Sequence, residues 1–385
     1  MLMIVALVLF IVVGLVLYLS KSAIRKQSQQ SVKKTQETSF ETQPVKDFVQ
    51  KCLDKLAKDA IVLLGKQGGY IYKSQGGSLI DYKDTDEGLF FINYNNNRVA
   101  YNIFPPKFIA PPPIYPWETF PYEAEDSETE IFDWYFGISN TPPLTPSQGP
   151  NSIQFQIETF IDSNMPKCAD FSIFEEQGLE VVMNSTKTSV VIGSNDVSVQ
   201  SKIPITITNP KTNEFTEISD FSTNLQVRLK DLYYFAKYLI GNDIKNIKFG
   251  ISALENERDS FKIRVIRDAL SKDDIITITD GRSFVYGKPY EYAFGRRNRI
   301  PALYYIKDNV LEFPKDYEIT QEELIKPPDP RWEDPDEDTL ALSLKSLPPK
   351  TPQFPYKLDL PEVRFKAEVS DGLLSDYQTI TVKRE

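Results

Sequence analysis

The chain has 385 residues, a net charge of −10 and no histidine. An acidic balance lacks the basic footprint that phosphate backbones require, so nucleic acid is not an expected partner. The missing histidine excludes Ser-His-Asp and Cys-His nucleophile systems and every His-ligated metal. No Gly-rich phosphate loop, CxxC pair or nucleophile elbow is present either, so no catalytic residue is assigned and the chain is not expected to be an enzyme.

In chain order, the first element is the apolar stretch Leu2–Leu19, LMIVALVLFIVVGLVLYL, which no charge interrupts. A helix of this length spans most of a hydrocarbon core, and in lipid only a helix satisfies every backbone N–H and C=O of a single segment. Residues 1–20 are therefore expected to be a single transmembrane anchor. A cleaved secretory signal fits less well, because the stretch has no basic leader and no A-x-A site. A pilin-type helix packed in a fibre core is the sharper alternative. Residues 21–44 form a polar stalk with no helical stripe. Lys21, Arg25, Lys26, Lys33 and Lys34 all follow the anchor, and on the positive-inside rule they place the body in the cytoplasm.

Residues 45–299 are expected to be an α+β body. Val45, Val49, Cys52, Leu53, Leu56, Ala60 and Leu64 recur at helical spacing and predict a helix over 45–64 that Gly65, Gly68 and Gly69 stop. LFFINYNN and RVAYNIF predict a hairpin through Asn95-Asn96-Asn97. Residues 104–150 hold proline-rich loops, expected to run extended over the surface. A second helix runs from Ser152 to about Asn164, with Ile153, Ile157, Phe160 and Ile161 inward. Residues 178–228 alternate β-branched and polar side chains and predict a meander with one wet face. A third helix covers 229–241, with Leu232, Phe235, Ala236, Leu239 and Ile240 inward. FKIRVIRDAL, DIITITDG and FVYGKPYEYAF return to strand. Arg296, Arg297 and Arg299 read as a solvated linker or as a contact for an acidic partner.

Cys52 and Cys168 are the only cysteines. They are either two separate buried thiols or, in an oxidising compartment, a disulfide joining two helices, and the disulfide is the expectation. In the chain-entropy model such a bridge is worth roughly 4–5 kcal/mol. Asn184-Ser185-Thr186 matches the glycosylation acceptor pattern, which counts only for an exported body.

From Ile300 the chain changes character. Asp334-Pro335-Asp336-Glu337-Asp338-Thr339-Leu340 and the segment Val369–Val382, VSDGLLSDYQTITV, resemble the paired motifs of cadherin-like, dystroglycan-type immunoglobulin-like surface repeats. The resemblance covers residues 300–385 and implies a β-sandwich of about seven strands that folds as its own unit. The residues themselves agree, because Phe365, Ala367 and Val369 alternate with charged neighbours and Asp371-Gly372 supplies turn chemistry. The anchor, FVQKCLDKLAKDAIVLLGKQGGYI and PKCADFSIFEEQGLEV further resemble uncharacterised membrane-anchored surface proteins of small-genome archaea. That resemblance implies an extracytoplasmic body, against the local charge count.

Asp334, Asp336 and Asp338 alternate, and six acids fall within residues 329–338. Hard oxygen ligands at alternate positions suit Ca²⁺, and a solvated acidic turn is the plainer reading. The expectation is a membrane-anchored surface protein with a structural, adhesive or partner-binding role. Its partners would be other surface proteins or copies of itself. The alternatives are a pilin-like filament subunit and a carboxylate-dependent surface glycan hydrolase.

Overall fold

The computed structural model describes residues 42–105, 136–149, 151–247, 249–254, 260–303, 310–324, 332–347 and 352–385. The expected anchor, nearly all of the polar stalk and most of the proline-rich loops lie outside them. Among the described residues no helix is long and apolar enough to cross a membrane.

The protein is mixed α+β and mostly sheet. Helix α1 (Gln43–Lys66) buries Val45, Val49, Leu53, Leu56, Ala60 and Leu64, the face read from the sequence. It does not stop at Gly65. That residue sits inside the last turn, where a Cβ would lie 2.3 Å from the Glu291 carbonyl oxygen. Here glycine is required by close approach rather than by termination. Gly68 and Gly69 end the segment with φ of +72° and +88°.

Strands β1 (Phe91–Tyr94) and β2 (Asn97–Phe104) form the expected hairpin, and Asn95 and Asn96 turn it with φ of 47° and 61°. After β3 (Ile138–Ser139), helix α2 (Ile153–Cys168) is capped by Ser152, whose Oγ accepts the Phe155 N–H. Strands β4 (Glu180–Met183), β5 (Lys187–Ile192), β6 (Val197–Asn209) and β7 (Glu214–Leu225) fill the predicted β region, but not as a simple meander, because the long β6 pairs with β4, β5 and β7. Helix α3 (Leu229–Asp243) follows, then β8 (Phe261–Arg267), β9 (Asp274–Val285) and β10 (Lys288–Arg296). The C-terminal strands are β11 (Ala302–Leu303), β12 (Val310–Phe313), β13 (Glu318–Ile319) and β14 (Trp332–Glu333). They continue as β15 (Ala341–Leu347), β16 (Tyr356–Lys357), β17 (Glu362–Ser370) and β18 (Ser375–Arg384).

The chain divides into two compact units, residues 1–49, 171–183 and 205–218, and residues 50–170, 184–204 and 219–385. In the first, Phe48 meets Phe171 and Phe174 edge-on at 6.0 and 5.6 Å, and β4 pairs antiparallel with residues 205–208 of β6. In the second, β5 pairs with residues 197–202 of β6, and a larger sheet runs β1-β2-β10-β9-β8 with β3 beside β2. Its β10–β2 pair is parallel, although β8, β9 and β10 are joined as antiparallel neighbours. Helix α1 lies against β10, where the Tyr290 hydroxyl donates to the Ile61 carbonyl at 3.2 Å. Helix α3 meets β8 through Phe235 and Phe261, stacked at 5.2 Å. The C-terminal strands form a four-stranded sheet, β12-β18-β17-β15, and two short pairs, β11–β14 and β13–β16. They share a core that includes Leu303, Leu344, Phe365, Val369, Ile380 and Val382.

Candidate cation site

The site is built around the turn that follows β14. Asp334 begins it, and its Oδ1 accepts the backbone N–H groups of Asp336 at 2.7 Å and Asp338 at 3.0 Å. This carboxylate mimics a backbone turn, a habit of aspartate at loop starts. Glu337 takes a left-handed φ of 63° to close the loop. The three aspartates do not share one side. Asp336 turns inward and becomes fully buried, while Asp334 and Asp338 face the other way, toward a cavity of about 390 Å³.

Asp336 is held by arginine. Its Oδ2 accepts the Arg299 backbone N–H at 2.6 Å, and its Oδ1 accepts Arg299 Nε at 2.9 Å. Arg296 lies 3.3 Å from the same carboxylate and donates to the Asp336 carbonyl at 3.0 Å. The two guanidiniums also reach Asp243 at the end of α3, at 2.7 Å from Arg296 and 2.8 Å from Arg299, and Arg296 binds Asp274 at the start of β9 at 2.5 Å. The side chains of Arg296 and Arg299 are 0% and 1% exposed. Arg296 and Arg299 are thus neither a solvated linker nor a free basic patch, while Arg297 between them is half-buried. The acidic partners of Arg296 and Arg299 are internal. A planar guanidinium suits this position because it binds several carboxylates and carbonyls in fixed directions, which a lysine cannot do.

What the structure brings together is Asp334, Asp338 and Asp371, one carboxylate oxygen of each lying within 4.8 Å of the others, and of these Asp334 and Asp338 line the cavity. Asp371 belongs to the β17–β18 turn. Its Oδ1 accepts the N–H groups of Leu373 and Leu374 at 2.6 Å each, and its Oδ2 accepts Asn298 Nδ2 at 2.9 Å. Asp338 Oδ1 is paired with Arg267. Asp334 Oδ2, Asp338 Oδ2 and Asn298 Oδ1 are buried and have no hydrogen-bond partner among the described residues. Burial, with the Asp336 and Asp338 carboxylates adding to it, pushes the Asp334 carboxyl up to about 7 although two backbone N–H groups oppose the shift. Burial also raises Asp338, against the pull of Arg267 and Lys272. Two buried carboxylate oxygens beside one open cleft favour a proton or a further cation there, in addition to Arg267. Trp332, Glu333 and Glu337 line the same cavity and add no positive charge.

The expected triplet Asp334, Asp336 and Asp338 is therefore split. Asp336 is spent on arginine, and Asp371 takes its place. The Asp371-Gly372 pair does make the expected turn, and Asn298 carries no sequence signal. One signal was available for the arginines, since six acids within ten residues need countercharge and Arg296–Arg299 was the nearest unassigned basic cluster. No comparable signal pointed to Asp371, which lies more than thirty residues further along the chain.

The remaining predicted positions are placed elsewhere. Cys52 of α1 and Cys168 at the end of α2 are joined in a disulfide, with a Cα–Cα distance of 5.8 Å. Asn184 is exposed between β4 and β5, and its backbone N–H donates to the Pro204 carbonyl at 2.9 Å. No protein-family model matches the chain, and no curated protein or solved structure matches it.

Proposed function

We propose that the chain is a membrane-anchored surface protein whose body lies outside the cytoplasm and serves a structural or adhesive role. In this reading the C-terminal strands are an immunoglobulin-like module carrying Ca²⁺ on Asp334, Asp338 and Asp371. The observation that carries the location is the Cys52–Cys168 disulfide, because such bridges persist in oxidising compartments and are rare in reducing ones. The exposed Asn184 acceptor pattern is consistent with export. The cation reading is supported by the two buried, unpartnered oxygens of Asp334 and Asp338. Carboxylate oxygens are hard ligands, and Ca²⁺ accepts irregular oxygen sets that Mg²⁺ does not.

Protease added to intact cells tests the location. The expected result is release of peptides from residues 45–385 without lysis. Full protection until the membrane is broken rejects the proposal. The metal is tested on the whole chain by melting in millimolar CaCl₂ against NaCl of equal ionic strength. A rise specific to Ca²⁺, lost in Asp338→Asn, is expected, and equal melts in the two salts reject the Ca²⁺ reading.

A further inference from the structure

The β8–β9 turn delivers a lysine to the edge of the carboxylate triplet. Asp268 organises that turn, its Oδ1 accepting the N–H groups of Leu270 at 2.9 Å and Ser271 at 2.8 Å. Lys272 then takes a left-handed φ of 59°, with its own N–H on the Asp268 carbonyl at 3.0 Å. A lysine adopts that backbone conformation only where its surroundings hold it there. The result is that Lys272 Nζ donates to the backbone carbonyl of Asp371 itself. The same ammonium passes 3.8 Å from where a Cβ on Gly372 would stand. A positive charge is thus tethered at one corner of a site in which Arg267 pairs with Asp338.

We infer that Lys272 sets the cation affinity of this site, its ammonium standing in for part of the metal charge and opposing entry of a divalent ion. The inference rests on the Ca²⁺ reading above. The physics is Coulombic. An ammonium tethered beside the triplet and an arriving divalent cation repel each other, and beside buried carboxylates that repulsion is less screened than in open solvent. Lysine suits the task because its ammonium is a compact charge on a flexible stem, able to withdraw when a stronger cation arrives. An arginine fork fixed on two carboxylates, as Arg296 is, has no such freedom.

The test compares the full chain with Lys272→Met, which keeps the stem length and removes the charge, and with Lys272→Arg, which keeps the charge. Tb³⁺ is titrated at fixed ionic strength and its luminescence excited through Trp332, which lines the same cavity, and Ca²⁺ is then used to displace it. Lys272→Met is expected to tighten Ca²⁺ by roughly tenfold or more, with a larger gain for trivalent Tb³⁺, because the repulsion scales with ion charge. Lys272→Arg keeps the charge and is expected to show no such gain. A gain equal for both ions, or no gain in Lys272→Met when the parent binds saturably, overturns the role of Lys272 and leaves the Ca²⁺ reading standing. Saturable binding in neither protein overturns both. Far-ultraviolet dichroism in EGTA confirms that each variant is folded, and Lys272→Gln repeats the charge removal with a polar stem.

Discussion

Asp376 carries an energetic consequence of burial at single-residue scale. It is 1% exposed, its Oδ2 accepts the Leu303 N–H at 2.7 Å, and its Oδ1 has no partner among the described residues. Burial pushes its carboxyl up to about 8, although backbone N–H groups of Leu303 and Tyr377 oppose the shift. A group whose folded value lies above its unfolded value of 3.8 favours the fold in its protonated form. Its contribution is fully present below about pH 4 and is lost as pH rises through about 8. The melting temperature measured in EGTA should therefore fall across that window. Asp376→Asn keeps the acceptor for Leu303 and cannot ionise, so it should flatten that slope and raise the melting temperature at pH 8 to 9. An unchanged slope in the variant would show that Asp376 is already compensated. The Arg299–Asp336 pair has the opposite character, two charges that satisfy each other in the dry interior. Breaking a buried pair by removing one partner typically costs about 3–5 kcal/mol, since the other charge is left behind. Arg299→Met should lose that much stability in urea titrations, and Arg299→Met with Asp336→Leu should recover part of it. A double variant no better than the single one would mean that Asp243, left with Arg296 alone, dominates the cost.

At the scale of elements, most of the fold was legible because local pattern and tertiary environment agree. The inward faces of α1, α2 and α3 were all readable from 3.6-residue spacing, and the Asn95-Asn96 turn from its left-handed residue types. The parallel β10–β2 pair was not legible, since nothing local to either strand encodes which distant strand lies beside it. Gly65 was read as a stop signal because composition alone cannot separate a terminating glycine from one pressed against a neighbour. Gly65→Ala puts a methyl 2.3 Å from the Glu291 oxygen, so α1 must move off β10. Overpacking of this kind costs about 1–3 kcal/mol, whereas an ordinary helix-interior glycine gains stability on becoming alanine. A stabilised Gly65→Ala protein would contradict the close approach. The Cys52–Cys168 bridge joins α1 to α2 across a sequence separation of 116. Reduction should cost roughly 4–5 kcal/mol in the chain-entropy model, read as a shift of the urea midpoint on adding reductant.

At the scale of the whole molecule, the candidate site was only half legible, because its parts come from distant stretches that a linear reading treats separately. Asp334 and Asp338 were visible in the acidic turn, but Asp371 and Asn298 reach them only once β17 and β18 have paired and the chain before Ile300 has docked. The same geometry bears on whether residues 300–385 stand alone. They own a continuous apolar core, which argues that a fragment folds. Their acidic turn, however, is neutralised by Arg267, Arg296 and Arg299, all of which precede Ile300. In the full chain, Asp336→Asn removes a charge that two buried arginines require, so it should destabilise. In the isolated fragment the same change removes a carboxylate that has lost both partners and sits between two others, so it should stabilise. The prediction is an opposite sign of the Asp336→Asn effect in the two contexts, measured as the shift of the urea midpoint of each protein in EGTA. The same sign in both would mean that the arginines do not determine what Asp336 contributes, and the fragment's turn would then have to be neutralised from within residues 300–385.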